Sequence, residues 1–268
     1  MAAIGDVSSK TIGELVSLAG RNAVVTGGAR GLGKGIAHRL AEAGAALMIG
    51  DIDEILAKET ADELSKEFEL QAMSGRLDVS DVTSITEFAE WAADTLGGID
   101  IWVNNAGIFP RVDLLDMTQE SWDEVLGVNL RGVLMGCREA ARHMIASDKG
   151  GTIINIASTA GFRGTGEGLS SYVGSKHGVV GITRQLALEL APHRIRVLGI
   201  APSVVVTEGV RESRERAQAS GSEHYAFQCP LGRLGVPDDI ARVALFCASD
   251  LSIYMTGTTL PVDAGLLI

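Results

Sequence analysis

Short apolar runs alternate along this chain with stretches of helical periodicity, and no other feature restricts the fold as much. The runs are Asn22–Thr26, Ala45–Asp51, part of "LQAMSGRLD", Asp100–Gly107, Thr152–Ser158, Arg196–Pro202 and the closing "TTLPVDAG". Between them, apolar residues recur at helical spacing over Gly31–Gly44, Asp53–Phe68, Val82–Leu96 and Ser171–Ala191. Thr118 reads as the N-cap of one long helix towards Met144, and Pro237 opens a helix to Ser249. Strands that are apolar throughout, rather than alternating, are buried on both faces. Strand–helix alternation of this kind implies a parallel sheet covered by helices on each side.

No linker, low-complexity segment or short repeat interrupts the pattern, so residues 18–268 are expected to form a single domain behind a lead-in of residues 1–17, with one amphipathic turn around Ile12 to Leu18. The lead-in has neither the basic start of a signal peptide nor the length of a membrane span. A net charge of −11 argues against a nucleic-acid surface. Cys137, Cys229 and Cys247 match no zinc spacing, and reduced thiols in a cytoplasmic protein are the simplest reading; no metal is expected. The polar stretch Thr207–Pro230 is the least regular and is expected to be a mobile substrate lid.

"TGGARGLG" (Thr26–Gly33) lies between the first strand and the first helix. Gly27, Gly31 and Gly33 remove side chains where a pyrophosphate would approach, and the helix start offers free N–H groups. A tight strand-to-helix turn is the plain alternative. Asp51 ends the second strand about 20 residues on, where an acid receives ribose hydroxyls. Placed there, it repels a 2′-phosphate and selects NAD; Arg30 would act the other way. Asp53 fits a helix-start acid better than Asp51 does.

"SSYVGSKHG" sets Tyr172 one helical turn from Lys176. The pair alone could be a lysine stem lying on a tyrosine ring. Together with "TGGARGLG", "LDVSD", "NNAG", "VNLRG", "INIAS" and "PSVVVT", in that family's order, it resembles the short-chain dehydrogenase/reductases of about 250 residues, from roughly Leu18 to the C-terminus. The resemblance implies a Rossmann-type α/β fold, a doubly wound parallel sheet of about seven strands.

It also implies roles. Asp78 and Val79 hold the adenine; Asn105, Ala106 and Gly107 line the cofactor cleft; Pro202, Val205 and Thr207 meet the nicotinamide end; Leu32 and Ile52 join the loop and ribose contacts. Tyr172 is the general acid/base, its pKa lowered by the Lys176 ammonium and by the oxidised nicotinamide. Lys176 also binds the ribose, Ser158 holds the substrate oxygen, and Asn129 supports a proton path to the lysine. Two departures stand out. Ser158 precedes Tyr172 by fourteen residues, one more than usual, which implies an insertion within "FRGTGEGLS" and leaves Thr159 as a fallback; and Ser203 replaces a usual glycine.

The expected activity is hydride transfer between NAD(H) and a secondary alcohol or ketone, in a homotetramer. The alternatives are an NADPH-dependent 3-oxoacyl-thioester reductase and, with less support, a non-catalytic nucleotide-binding protein. Ile108, Phe109, Phe162, Val204 and the lid residues Val210, Tyr225 and Phe227 suggest a neutral, fairly apolar substrate, cyclic or aryl. Arg163 is the one cation expected near the site; it reads as a solvated loop residue, and only turned inward would it recruit an anion instead.

Overall fold

The apolar runs pair into one parallel sheet in the computed structural model, which describes residues 4–207 and 229–268. Its strands are β1 (Asn22–Thr26), β2 (Ala46–Asp51), β3 (Ala72–Arg76), β4 (Ile101–Asn104), β5 (Gly151–Ile156), β6 (Ile195–Pro202) and β7 (Thr259–Val262), in the order β3-β2-β1-β4-β5-β6-β7. The chain therefore builds outward from β1 to β3, then returns to the other side of β1 to start β4. Connections on the two sides of that reversal leave in opposite directions, so a crevice opens at the carboxyl ends of β1 and β4.

Successive side chains on each strand enter different cores. Ala23, Val25, Leu47, Ile49, Ile101 and Val103 face one layer; Val24, Met48 and Trp102 face the other. In the first layer they meet Ile36 and Leu40 of α2 (Gly31–Glu42), Leu64 of α3 (Glu54–Phe68) and Ile240 of a later helix (Pro237–Ala248). The second layer contains Ile85 and Phe88 of α4 (Val82–Leu96), and Val133 and Met144 of the helix Val133–Ala146. It also holds Val179 and Ala187 of the helix Ser170–Leu190. Asp53 caps α3, its carboxylate accepting from Leu56 N at 3.1 Å. The lead-in helix α1 (Ile12–Val16) buries none of its residues, whereas Leu18 just after it is fully buried.

The long helix expected from Thr118 is divided. Thr118 does cap a helix, α5 (Gln119–Leu126), but a wider π turn over Gly127–Gly132 separates it from α6 (Val133–Ala146). Gly132 packs so closely that a Cβ there would lie 2.6 Å from the Val79 carbonyl oxygen. The turn also swings Asn129 fully inside. The helix Ser170–Leu190 is α7, and Pro237–Ala248 is α8. Of the expected lid, residues 208–228 lie outside the described residues, Val210, Tyr225 and Phe227 among them.

Gly136 on α6 faces β4. A Cβ there would collide with Asn104 Oδ1 and sit 3.0 Å from Trp102 Nε1, which itself donates to Asn104 Oδ1 at 2.8 Å. Gly136→Ala is therefore expected to lower the unfolding free energy by about 1–3 kcal/mol. The check is a urea titration with a lower midpoint and an unchanged slope.

Candidate active site

The loop after β1 owes its glycines mainly to its own packing. A Cβ on Gly33 would run into the Gly27 carbonyl oxygen, and one on Gly27 would lie 2.8 Å from Ala106 Cα. Only Gly31, with φ +57° and ordinary room around it, is left to backbone conformation and to the cavity it lines. The close approach expected of a pyrophosphate thus explains fewer of these glycines than the tightness of the turn does. The turn directs the first N–H groups of α2, which have no intrahelical acceptors, towards the crevice. Asp51 is locked beside it: one carboxylate oxygen accepts from Ala29 N at 3.1 Å and the other from Asp53 N at 3.1 Å. Arg30 is exposed, and its side chain makes no capping bond to α2.

Asp78 accepts from Ser80 N at 2.9 Å and Ser80 Oγ at 2.6 Å. The Ser80 hydroxyl holds the Asp78 carboxyl below its ordinary range. At the end of β4, Thr26 Oγ1 accepts from Asn105 N and Ala106 N at 3.0 and 3.1 Å. The Asn105 amide donates to the Thr26 and Gly27 carbonyls, each at 2.9 Å. Asn129 lies behind this loop. Its Oδ1 accepts from Ile108 N at 2.9 Å, and its Nδ2 donates to Ile108 O at 2.8 Å and to Ser175 Oγ at 3.3 Å. The carboxamide thus acts as a local cap for the strand-4 loop.

Tyr172 and Lys176 stand on the first turns of α7. Lys176 is buried, and Nζ donates to the Ile156 carbonyl at 2.8 Å. Nζ sits 5.7 Å from the centre of the Tyr172 ring. Burial pulls the Lys176 pKa down to about 8. Burial also pushes Tyr172 up, against a smaller opposing pull from the Ser158 hydroxyl. The expectation counted on Lys176 together with a bound oxidised nicotinamide; in the chain alone, burial outweighs the Ser158 hydroxyl. Phe109 meets the Tyr172 ring edge-on at 6.2 Å.

One cavity of about 560 Å³ joins these groups. Gly27, Arg30, Gly31, Leu32, Gly33, Asp51, Ile52, Asp78 and Val79 line one end; Asn105, Ala106 and Gly107 line the middle; Ser158, Tyr172, Lys176, Pro202, Val205 and Thr207 line the other. Asn129 is not in its wall. Ser158 lines it and Thr159 does not. Ser203 lines it too, and lies outside the left-handed region, so a side chain is tolerated where the resemblance led one to expect glycine. The structure corrects the pocket's far wall at Phe162, whereas Arg163 is the solvated loop residue it was expected to be. Phe162 and Arg163 are exposed and outside the lining; Arg163 Nη1 donates instead to Leu266 O at 3.3 Å. Arg111 and Leu169, which sequence reasoning missed, are in it. Their only signal was position: each flanks a loop already assigned to the pocket.

Comparison with known proteins then decides the family. A family model described as "Enoyl-(Acyl carrier protein) reductase" matches residues 27–267. The chain belongs to the short-chain dehydrogenase/reductase family. It is 38% identical to the 3-oxoacyl-[acyl-carrier-protein] reductase FabG of Thermotoga maritima, over 94% of this chain and 99% of that one. It is also 38% identical to the 2-dehydro-3-deoxy-D-gluconate 5-dehydrogenase of Escherichia coli, over 94% of this chain and 97% of that one. A crystal structure from Beutenbergia cavernae, described as an NAD(P) dependent gluconate 5-dehydrogenase with NADP bound at low occupancy, superposes with TM-score 0.84 at 38% identity, covering 94% and 99% of the two chains. The protein is thus an oxidoreductase of a family that uses nicotinamide dinucleotides. The residues fit such a group: a glycine turn at a helix start, a fixed carboxylate one strand away, and a continuous cavity from there to Tyr172.

Asn129→Ala would leave the N–H and C=O of Ile108 without their buried partner. A loss of about 1–3 kcal/mol is expected, with faster amide hydrogen exchange at Ile108. Unchanged exchange there would mean that Asn129 does not hold this loop.

Proposed function

We propose that the protein transfers hydride between NAD(H) and a secondary alcohol or its ketone. One observation carries the reading: Tyr172 and Ser158 line one end of a cavity whose other end is closed by the fixed Asp51 carboxylate. Asp51 would accept the adenosine ribose hydroxyls and repel a 2′-phosphate; Arg30 beside it is free to turn to solvent. Ser158 would donate to the substrate oxygen and stabilise charge developing there. Tyr172, held as a phenol by burial, is suited to give its proton to a ketone; in the oxidation direction its ionised form takes the alcohol proton. Lys176 would bind the nicotinamide ribose and favour that phenolate. When bound, the nicotinamide supplies the hydride chemistry and, oxidised, a further positive charge. Asn129 acts from behind the wall, by holding the strand-4 loop and Ser175 one residue before the lysine.

A second reading, an NADPH-dependent 3-oxoacyl-thioester reductase, is favoured by the names of the FabG relatives. Asp51 weighs against it, as does a net charge of −11 on a protein that would dock an acidic acyl carrier. The reading also includes a homotetramer, the default being closed symmetry; sedimentation at micromolar concentration checks it, and a monomer would refute it.

Catalytic efficiency with the two cofactors tests the assignment of Asp51. NAD should be preferred, and Asp51→Ser should relax the preference; better turnover with NADP in the native protein would hand the decision to Arg30.

Tyr172→Phe should lower turnover by about 10²–10⁴-fold while leaving dinucleotide binding intact. Alcohol oxidation needs the phenolate, so its kcat/KM should rise with pH; ketone reduction needs the phenol and should fall as pH rises through the same pKa. Lys176→Met removes the neighbouring cation and should move that pKa upward. A profile that keeps its midpoint in Lys176→Met would dissociate the lysine from the acid/base.

A further inference from the structure

The strand-4 loop and the loop before α7 are fastened together at the mouth of the cavity, and Arg111 stands at the fastening. Val112 N donates to Gly168 O at 2.9 Å, and Arg111 Nη1 donates to Glu167 O at 3.0 Å. The chain has to turn left-handed at Gly168, with φ +71°, to present that carbonyl. A Cβ at Gly168 would crowd Val112 N at 3.2 Å and Arg111 Cβ at 3.4 Å. Gly166 has no side chain beneath the guanidinium; a Cβ there would already touch Nη1 at 3.6 Å. These residues belong to "FRGTGEGLS", the segment that carries the extra residue between Ser158 and Tyr172. The longer loop thus has a visible use: it supplies a carbonyl that fixes Arg111 in the cavity wall.

The charge at this end is unbalanced. Among the described lining residues the carboxylates are Asp51 and Asp78, both at the dinucleotide end. Arg111 forms no ion pair among the described residues, and its bond to Glu167 uses one donor of five. Of the other lining cations, Arg30 is at the dinucleotide end and Lys176 is buried on the Ile156 carbonyl. Ile108, Phe109, Leu169 and Val204 supply apolar lining there, beside the hydroxyls of Ser158, Ser203 and Thr207.

We propose that Arg111 is a specificity-determining residue that binds a carboxylate of the substrate, so that the protein acts on a keto acid or the matching hydroxy acid. This rests on the dehydrogenase reading above and departs from the neutral substrate expected of the sequence, in which Arg163 was the cation at issue. A guanidinium fixed through one N–H retains an edge for a bidentate carboxylate. The apolar walls accept the carbon skeleton between that carboxylate and the carbonyl at Tyr172.

The test compares matched ketones with NADH: 4-oxocyclohexanecarboxylate and linear keto acids of graded length, each against its methyl ester. The expected result is a preference of about tenfold or more for at least one acid over its ester. It should reside mainly in KM, weaken with added salt, disappear in Arg111→Gln and survive in part in Arg111→Lys; Arg163→Gln should retain it. Calorimetric binding of the same acids to the NADH-loaded Tyr172→Phe protein provides a readout independent of turnover. Acid binding that depends on Arg111 without turnover in the native protein would uphold this site and sink the dehydrogenase reading. Turnover with esters equal to or better than acids throughout, or an acid preference untouched by Arg111→Gln, would overturn the proposal, as would absence of both acid turnover and acid binding.

Discussion

The hydroxyl of Thr26 and the carboxamide of Asn105 hold together the two strand ends between which the site lies. Reversal of strand order makes a crevice at β1 and β4 unavoidable, but it does not fix how the two loops face each other. Thr26 Oγ1 takes two successive N–H groups of the β4 loop, and Asn105 returns two bonds to carbonyls of the β1 loop. With the loops so pinned, no side chain fits on Gly27 or Gly33. Beneath them a second polar chain crosses the layer. Trp102 donates to Asn104, Asn104 to Asn155, Asn155 to Thr183, and Thr183 to the Val179 carbonyl of α7. Every member is buried. A gap in such a chain would strand a polar group in a low-dielectric interior, so it ties α7, and with it Tyr172 and Lys176, to β4 and β5 in one arrangement.

Electrostatics differ between the two ends of the cavity because solvation differs. At the dinucleotide end the Ser80 hydroxyl holds the Asp78 carboxyl below its ordinary range, and Asp51 accepts from two backbone N–H groups. At the other end burial dominates, pulling Lys176 down to about 8 and pushing Tyr172 up. Burial thus favours the neutral form of both groups, amine and phenol. Placing the proton between them is then left to whatever charge and hydrogen bonds a bound ligand contributes, which couples acid/base competence to occupancy of the site.

What the sequence made legible follows from what is periodic. The five inner strands were readable because β-strands buried on both faces are apolar without alternation, whereas the edge strands β3 and β7 are only partly buried and showed chiefly by their place in the alternation; observed ends differ from the expected ones by a few residues at most. Asp53 as a cap and Pro237 as a helix start were also readable, since each is a local matter of backbone donors. Asn129 could be read as a polar residue that bends a helix, but the π turn at Gly127–Gly132 could not be, nor could the meeting of Asn129 with Ile108 from another element, a contact that no local spacing encodes. Ser203 was expected to disturb a glycine position, yet its backbone avoids the left-handed region, so the substitution costs no strain there. Arg163 and Arg111 show the same limit from the other side. Both flank the pocket in sequence, but only the loop-to-loop bonds decide which one turns into the wall and which one ties to Leu266.

The departures of this chain from its family's usual pattern fall on the surface of that rigid frame. The sheet, the β1 turn and the start of α7 are bound by buried bonds in which most single changes would leave a donor or acceptor unpaired. Farther out along the loops, beyond Ile108 and after Phe162, fewer such bonds bind the chain. There, a segment can lengthen by one residue between Ser158 and Tyr172, provided that its new carbonyls find partners. Val112 N and the Arg111 guanidinium are those partners. The bond that stabilises the longer loop is thus also the bond that fixes Arg111 in the cavity wall. A change in substrate preference can in this way be built without moving Tyr172, Lys176 or Asp51, because the loops are coupled to each other more closely than to the sheet below.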